Sequence, residues 1–325
     1  MRVAITGATG FLGGHIAETF AGLGWELSLL ARSSDRAETV AHLGRTVVGD
    51  ITDAKALDTL FAGADVGIHL VSNFRSASGP PESYHQTNVC GTQEAVGAAR
   101  RAGVRRFVHC STIGVHGHVR STPADETSPF HPGDLYQETK AEAELWVQSE
   151  ARKPGMEIVV VRPCSIYGPG DTRMLKMFRM LAKRTFFTLG ACRENFHAVY
   201  IDDLIEGFRL VSTQPGIQGE AFILGGPRYL PLWDYLVTAA RAAGAPPPWM
   251  RFPYSPVFAA SVVCEKLCVP LRIEPPLHPR RVRFFRNNRA FSIDKARRSL
   301  GYDPRVSLEE GMERTVAWYR SQGLL

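Results

Sequence analysis

An α/β fold, with a doubly wound parallel sheet and a smaller, mostly helical C-terminal substrate lobe, is predicted by three observations. The chain opens on a short apolar run that ends in a glycine-rich turn and continues into a helix-like stretch. Strand-like and helix-like segments then alternate through the first half. After Pro163 the alternation stops, prolines and glycines cluster, and shorter helical segments follow with few clear strands. Strands covered by helices on both faces read as near-continuous apolar runs, and strands that alternate with helices require parallel pairing through crossovers.

The elements follow in order. Arg2-Val3-Ala4-Ile5 is the first strand, Thr6-Gly7-Ala8-Thr9-Gly10-Phe11-Leu12-Gly13-Gly14 the turn, and His15–Phe20 the start of a helix. Gly7 permits a tight reversal, Gly10 lets backbone N–H groups approach a pyrophosphate, and Gly13 lets helix and strand pack closely. The helix N-terminus offers free N–H groups and the positive end of a dipole. The spacing G-x-x-G-x-x-G differs from the commoner G-x-G-x-x-G, and a purely structural turn is the alternative. Glu26–Leu30, Arg45–Gly49, Val66–Val71, Arg106–Cys110 and Glu157–Arg162 read as further strands. Asp53–Phe61, Ser83–Arg101 and Leu135–Ala151 read as helices. Residues 1–165 therefore form a nucleotide-binding unit to which Phe196–Val211 returns, and residues 166–325 form the substrate lobe.

Composition sets bounds. A chain of 325 residues with 44% hydrophobic residues buries a sizeable core in one large or two smaller domains. The formal charge of +6 is mild, its bases read as spread along the chain, and no recognition motif accompanies them, which excludes a nucleic-acid partner. Cys90, Cys110, Cys164, Cys192, Cys264 and Cys268 form no C-x-x-C and no zinc pattern. No metal is expected; buried free thiols in a reducing compartment are. With no charged-then-apolar leader and no apolar run of spanning length, a cytoplasmic location is expected.

Tyr136 and Lys140 lie four residues apart on a predicted helix and so share a face. The ammonium is expected to stabilise a tyrosinate and to lower the tyrosine pKa toward working pH, making Tyr136 an acid/base for a hydroxyl or carbonyl. Such pairs are also common on solvated helices. Here the pair follows a strand that ends in His109-Cys110-Ser111-Thr112, and open α/β sheets bind ligands at the C-terminal ends of their strands. Thr112 is placed to donate to the oxygen that Tyr136 serves; the alternative is a loop hydroxyl satisfying backbone.

These residues resemble the extended short-chain dehydrogenase/reductases, the NAD(P)-dependent epimerase/dehydratase superfamily, with its Rossmann-type fold. The likeness runs through Thr6–Gly13, Gly49-Asp50-Ile51-Thr52-Asp53, Asn88-Val89-Cys90-Gly91-Thr92, Ser111–Gly117, Tyr136-Gln137-Glu138-Thr139-Lys140 and Arg162–Gly170. It implies a catalytic set of Thr112, Tyr136 and Lys140, with Lys140 also holding the nicotinamide ribose. It places Gly7, Thr9, Gly10, Phe11, Leu12 and Gly13 around the pyrophosphate, Asp50 and Ile51 at the adenine, and Ser165 near the carboxamide. Val71, Ser72 and Pro163 complete the cofactor set, and a homodimer is implied by analogy. Two departures weaken a sugar-nucleotide role. His116 stands where many such enzymes have Tyr, and Tyr200 precedes Ile201-Asp202-Asp203 where His is frequent.

An acidic residue at the end of the second strand would bond a ribose 2′-hydroxyl, whereas Arg meets a 2′-phosphate. Arg32 and Ser33 stand there with no acid before Asp35, which favours NADP(H) over NAD(H). Arg32 as a solvated charge, or stacked on adenine with either cofactor, is the alternative. In the second half, Val257–Cys268 is apolar except for Glu265-Lys266, and a basic stretch, Pro275–Arg286, follows. This arrangement looks like the 3β-hydroxysteroid dehydrogenase branch. It predicts an apolar small-molecule substrate, with the helix capping a hydrophobic tunnel, resting peripherally on a membrane, or simply packing the lobe.

Overall fold

The computed structural model describes residues 1–74, 80–268 and 277–325, with the Arg280 side chain excepted. Pro275 and Pro276 of the expected basic stretch lie outside the described residues. The strands are β1 (Arg2–Thr6), β2 (Glu26–Ala31), β3 (Arg45–Val48), β4 (Val66–His69), β5 (Arg106–Cys110), β6 (Glu157–Pro163), β7 (Ser165–Tyr167), β8 (Phe187–Leu189), β9 (Asn195–Phe196), β10 (Ala198–Tyr200), β11 (Ala221–Leu224), β12 (Leu230–Pro231) and β13 (Met250–Phe252). The helices are α1 (Phe11–Gly22), α2 (Ser34–Glu38), α3 (Ala54–Phe61), α4 (Glu82–His85), α5 (Gly91–Arg101), α6 (Leu135–Glu150) and α7 (Leu175–Ala182). They continue with α8 (Ile201–Thr213), α9 (Leu232–Ala242), α10 (Tyr254–Cys268), α11 (Pro279–Arg283), α12 (Asp294–Leu300) and α13 (Leu308–Ser321).

A seven-stranded sheet runs in the order β11-β6-β5-β4-β1-β2-β3, and each of its neighbouring pairs is parallel. The chain direction across the sheet reverses between β1 and β4. At such a switch point the loops part and leave a crevice. Every residue of β4 and all but the first of β1 are buried, as helices on both faces require. Asp53 starts α3 by accepting the N–H groups of Lys55 and Ala56, and Asp134 starts α6 by accepting that of Gln137.

Three expected boundaries shift. The sheet's outermost strand on the β6 side is Ala221–Leu224, inside the stretch expected to build the lobe. Residues 196–211 return to this unit through a helix and not a sheet strand: they supply the end of β9, then β10, which pairs with β7 outside the main sheet, and most of helix α8, which packs on α1, β5 and β6. The expected helix Ser83–Arg101 is three segments, α4, a π-helical turn over Gln86–Cys90, and α5. A π turn inserts one residue and redirects the side chains after it. Of the cysteines expected to be buried, Cys164 and Cys192 are, and the other four are half-exposed.

Candidate active site

The glycine turn is shaped by close approach. Gly7 sits at φ +78°, a left-handed conformation that side chains disfavour, and the Gly10 N–H donates to its carbonyl at 3.0 Å. A Cβ on Gly13 would stand 2.1 Å from the Gly7 oxygen, so α1 seats on the turn only through a glycine. A Cβ on Gly7 would reach the Val71 nitrogen at 3.1 Å, which brings the ends of β1 and β4 together. No side chain caps α1 at Gly10, so its first N–H groups point outward from an exposed glycine beside the half-buried Thr9, Phe11 and Leu12. This cradle of free N–H groups and missing Cβ atoms fits a dinucleotide's phosphates.

Around the turn the other expected residues divide. Arg32 is exposed just after β2, and Ser33 caps α2 through the Arg36 N–H. Asp50 is exposed and accepts both the N–H and the hydroxyl of Thr52. Ile51 is only 3% exposed and packs under Gly91, so its side chain serves the sheet–helix contact. Pro163 is buried at the end of β6, and Ser165 is half-buried in β7 with its N–H on the His197 carbonyl.

Tyr136 stands in the first turn of α6, with the side chains of Ser72 and Thr112 close enough to its hydroxyl to favour the tyrosinate. The Phe74 ring meets it edge-on at 4.7 Å. Thr112 Oγ1 accepts the Gly114 N–H at 3.0 Å, which leaves its hydrogen free to donate. The backbone bond of this threonine therefore leaves room for a site role. Lys140 is buried one turn further and donates to the Cys110 carbonyl at 2.7 Å. The expected lowering of the tyrosine pKa is not what the chain's own groups produce. Dense surroundings of the hydroxyl push Tyr136 up to about 12, although the residue keeps an exposed edge. Burial likewise depresses Lys140. Desolvation outweighs the through-space effect of the lysine charge on the tyrosine.

Three side chains behind the site were not assigned roles from sequence. Asn88, at the π turn, accepts the Asn73 N–H at 2.7 Å and donates to Thr139 at 2.9 Å. It ties the Ser72 loop to α6 one residue before Lys140. His69 bridges Thr6 at 2.8 Å and Thr92 at 3.0 Å, and burial drives it down to about 3, so it stays neutral. Glu144 is fully buried and accepts Arg162 at 2.6 Å. Arg162 in turn donates to His116 at 3.2 Å. His116 is 2% exposed and held down to about 4, chiefly by burial and then by Arg162. It therefore packs behind the site rather than facing a substrate. Among the described residues no group of His, Cys, Asp and Glu is arranged to hold a metal ion.

Residues 3–225 match the model of the NAD dependent epimerase/dehydratase family, and the match ends just past β11. The chain is 33% identical to a 3-beta-hydroxysteroid dehydrogenase of Mycolicibacterium neoaurum, over 98% of this chain and 91% of the relative. It is 30% identical to the 2-alkyl-3-oxoalkanoate reductase of Stenotrophomonas maltophilia (strain K279a), over 98% of this chain and 99% of that one. The crystal structure of gox2253 superposes with a TM-score of 0.83 at 28% identity, covering 100% of this chain and 99% of that chain. The chain belongs to the NAD dependent epimerase/dehydratase family, and is an NAD(P)-type enzyme of the extended short-chain dehydrogenase/reductases with 3β-hydroxysteroid dehydrogenase-like kinship.

Proposed function

We propose that this enzyme is an NADP(H)-dependent oxidoreductase that interconverts a secondary alcohol and a ketone on an apolar, sterol-like or long-chain substrate. The observation that carries the reading is the meeting of the Ser72 and Thr112 hydroxyls at Tyr136, beside the glycine cradle at the sheet's switch point. When bound, a nicotinamide cofactor supplies or accepts the hydride. In reduction Tyr136 gives its proton to the carbonyl oxygen. A pKa near 12 keeps that proton in place at neutral pH. Thr112 donates to the same oxygen and polarises it. Lys140, anchored on the Cys110 carbonyl, holds a positive charge behind the site that favours the tyrosinate left after transfer.

Two observations support an apolar substrate. The relatives at 33% and 30% identity are named for a hydroxysteroid and an alkyl oxoalkanoate. His116, at the position where sugar-nucleotide enzymes often carry tyrosine, is locked behind Arg162. The test is binding of a sterol-like ketone and of a UDP-sugar to the NADP(H)-loaded protein. Affinity for the ketone is expected. Tight UDP-sugar binding with none for the ketone would replace this reading with a sugar-nucleotide epimerase or dehydratase.

The cofactor preference is tested separately. Arg32→Ala is expected to weaken NADP(H) by about 1.5–3 kcal/mol, the worth of a charge-assisted hydrogen bond, and to spare NAD(H). Titration of both cofactors against parent and variant reads it directly. An equal loss for the two would remove Arg32 from the 2′ position.

A further inference from the structure

Helix α10 contradicts the ordinary rule for a surface helix. Among its fifteen residues only Ser261 is buried. Its outward stripe is Pro256, Ala259, Ala260, Val263 and Leu267, all exposed, with Ser255 and Lys266 beside them. A helix packed on a core turns its apolar face inward and its polar face to water. Here Val263 is 57% and Leu267 64% exposed, and the segment leading in adds Trp249 at 74% and Phe252 at 46%. Such a contiguous apolar surface calls for a covering partner.

The charge around the stripe says which partner. Trp249–Cys268 and Leu277–Arg286 hold Arg251, Lys266, Arg280, Arg281, Arg283 and Arg286 against Glu265 alone, a net +5 of the chain's +6. The basic excess is therefore concentrated in this part of the sequence and not evenly spread along the chain. Glu265 is itself paired with His278 at 3.2 Å. Arg283 and Arg286 lie over the Phe258 and Tyr254 rings at 5.6 and 4.6 Å, which sets exposed guanidinium groups along the flank of α10. A second copy docking through the same patch would bring these like charges together. A surface that is apolar in depth and negative at its rim suits both features.

We propose that α10, with Trp249, Phe252 and the flanking arginines, docks on the surface of an anionic phospholipid bilayer. Val263 and Leu267 enter the boundary between headgroups and acyl chains, Trp249 sits at the headgroup level, and the arginines meet lipid phosphates. The helix lies on the membrane; no described helix is long and apolar enough to cross one.

The experiment is co-sedimentation of the full chain with phosphatidylglycerol/phosphatidylcholine vesicles and with phosphatidylcholine vesicles. Pelleting is expected with the anionic vesicles and should fall as salt is raised. The double variant Val263→Asp, Leu267→Asp is expected to lose about tenfold or more of the bound fraction, with unchanged circular dichroism and solution mass. Arg283→Gln with Arg286→Gln leaves the apolar stripe intact and should remove much of the salt-sensitive part, so the proposal stays testable even if the first variant misfolds. Three outcomes would overturn it. They are no pelleting on anionic vesicles at low salt, equal pelleting of parent and both double variants, or a fall in solution mass in the aspartate variant, which would show that a second copy covers the stripe.

Discussion

Replacing Tyr136 with phenylalanine is expected to lower turnover by about 10²–10⁴-fold, the usual worth of a positioned general acid or base, with cofactor affinity nearly unchanged. The variant removes one oxygen. The ring keeps its edge contact with Phe74 and its place in the first turn of α6, so the fold around it need not move. Ser72 is exposed and Thr112 half-buried, so water can reach both hydroxyls once the phenol oxygen is gone. Thr112 also keeps its bond from the Gly114 N–H. What disappears is the proton. The direction of the pKa shift sharpens the test. Tyr136 is protonated below about 12, so parent ketone reduction should be level through neutral pH, whereas alcohol oxidation, which needs the tyrosinate, should rise with pH. The phenylalanine variant should lose that rise. Near-parent turnover, or an unchanged oxidation profile, would remove Tyr136 from the chemistry.

The residues legible in the sequence are those whose reason is local. Gly7 and Gly13 are demanded by a turn that closes within a few residues, so spacing alone announces them. Tyr136 and Lys140 share a face because the helix repeat puts them there. The later half resists the same reading. β11 is a four-residue strand whose partner, β6, lies some sixty residues earlier, and nothing in Ala221–Leu224 names that partner. Asn88 stands in a motif that marks the family, yet its contacts are to Asn73 and Thr139, chosen by the tertiary fold. The pKa of Tyr136 is not legible from spacing for a related reason. Helix spacing shows the lysine charge but not the burial that opposes it.

The least legible feature carries the second large effect. Glu144→Ala is expected to destabilise the protein by about 3–5 kcal/mol, because it leaves a buried guanidinium without its counter-charge. Glu144 Oε1 accepts both Nε and Nη2 of Arg162, at 2.9 and 2.6 Å, and Oε2 takes the Ser111 hydroxyl. Arg162 is 2% exposed, so its charge gains little from water if the carboxylate goes. Its other partners, the Glu126 carbonyl, the neutral His116 ring and the Phe130 ring at 4.9 Å, carry no counter-charge. The pair also has a positional role. It joins α6, one turn past Lys140, to β6, and through Ser111 to the residue before Thr112. Loss of the carboxylate should therefore loosen the catalytic set as well as the fold. Replacing both partners, Glu144→Leu with Arg162→Met, removes the charges together and should recover much of the stability, since apolar substitutes for a buried ion pair are often tolerated. Denaturant unfolding of the parent, Glu144→Ala and the double variant gives the comparison. A single-variant loss below about 1 kcal/mol, the range of an exposed pair, would show that water reaches Arg162 and that the pair does not pin α6 to the sheet.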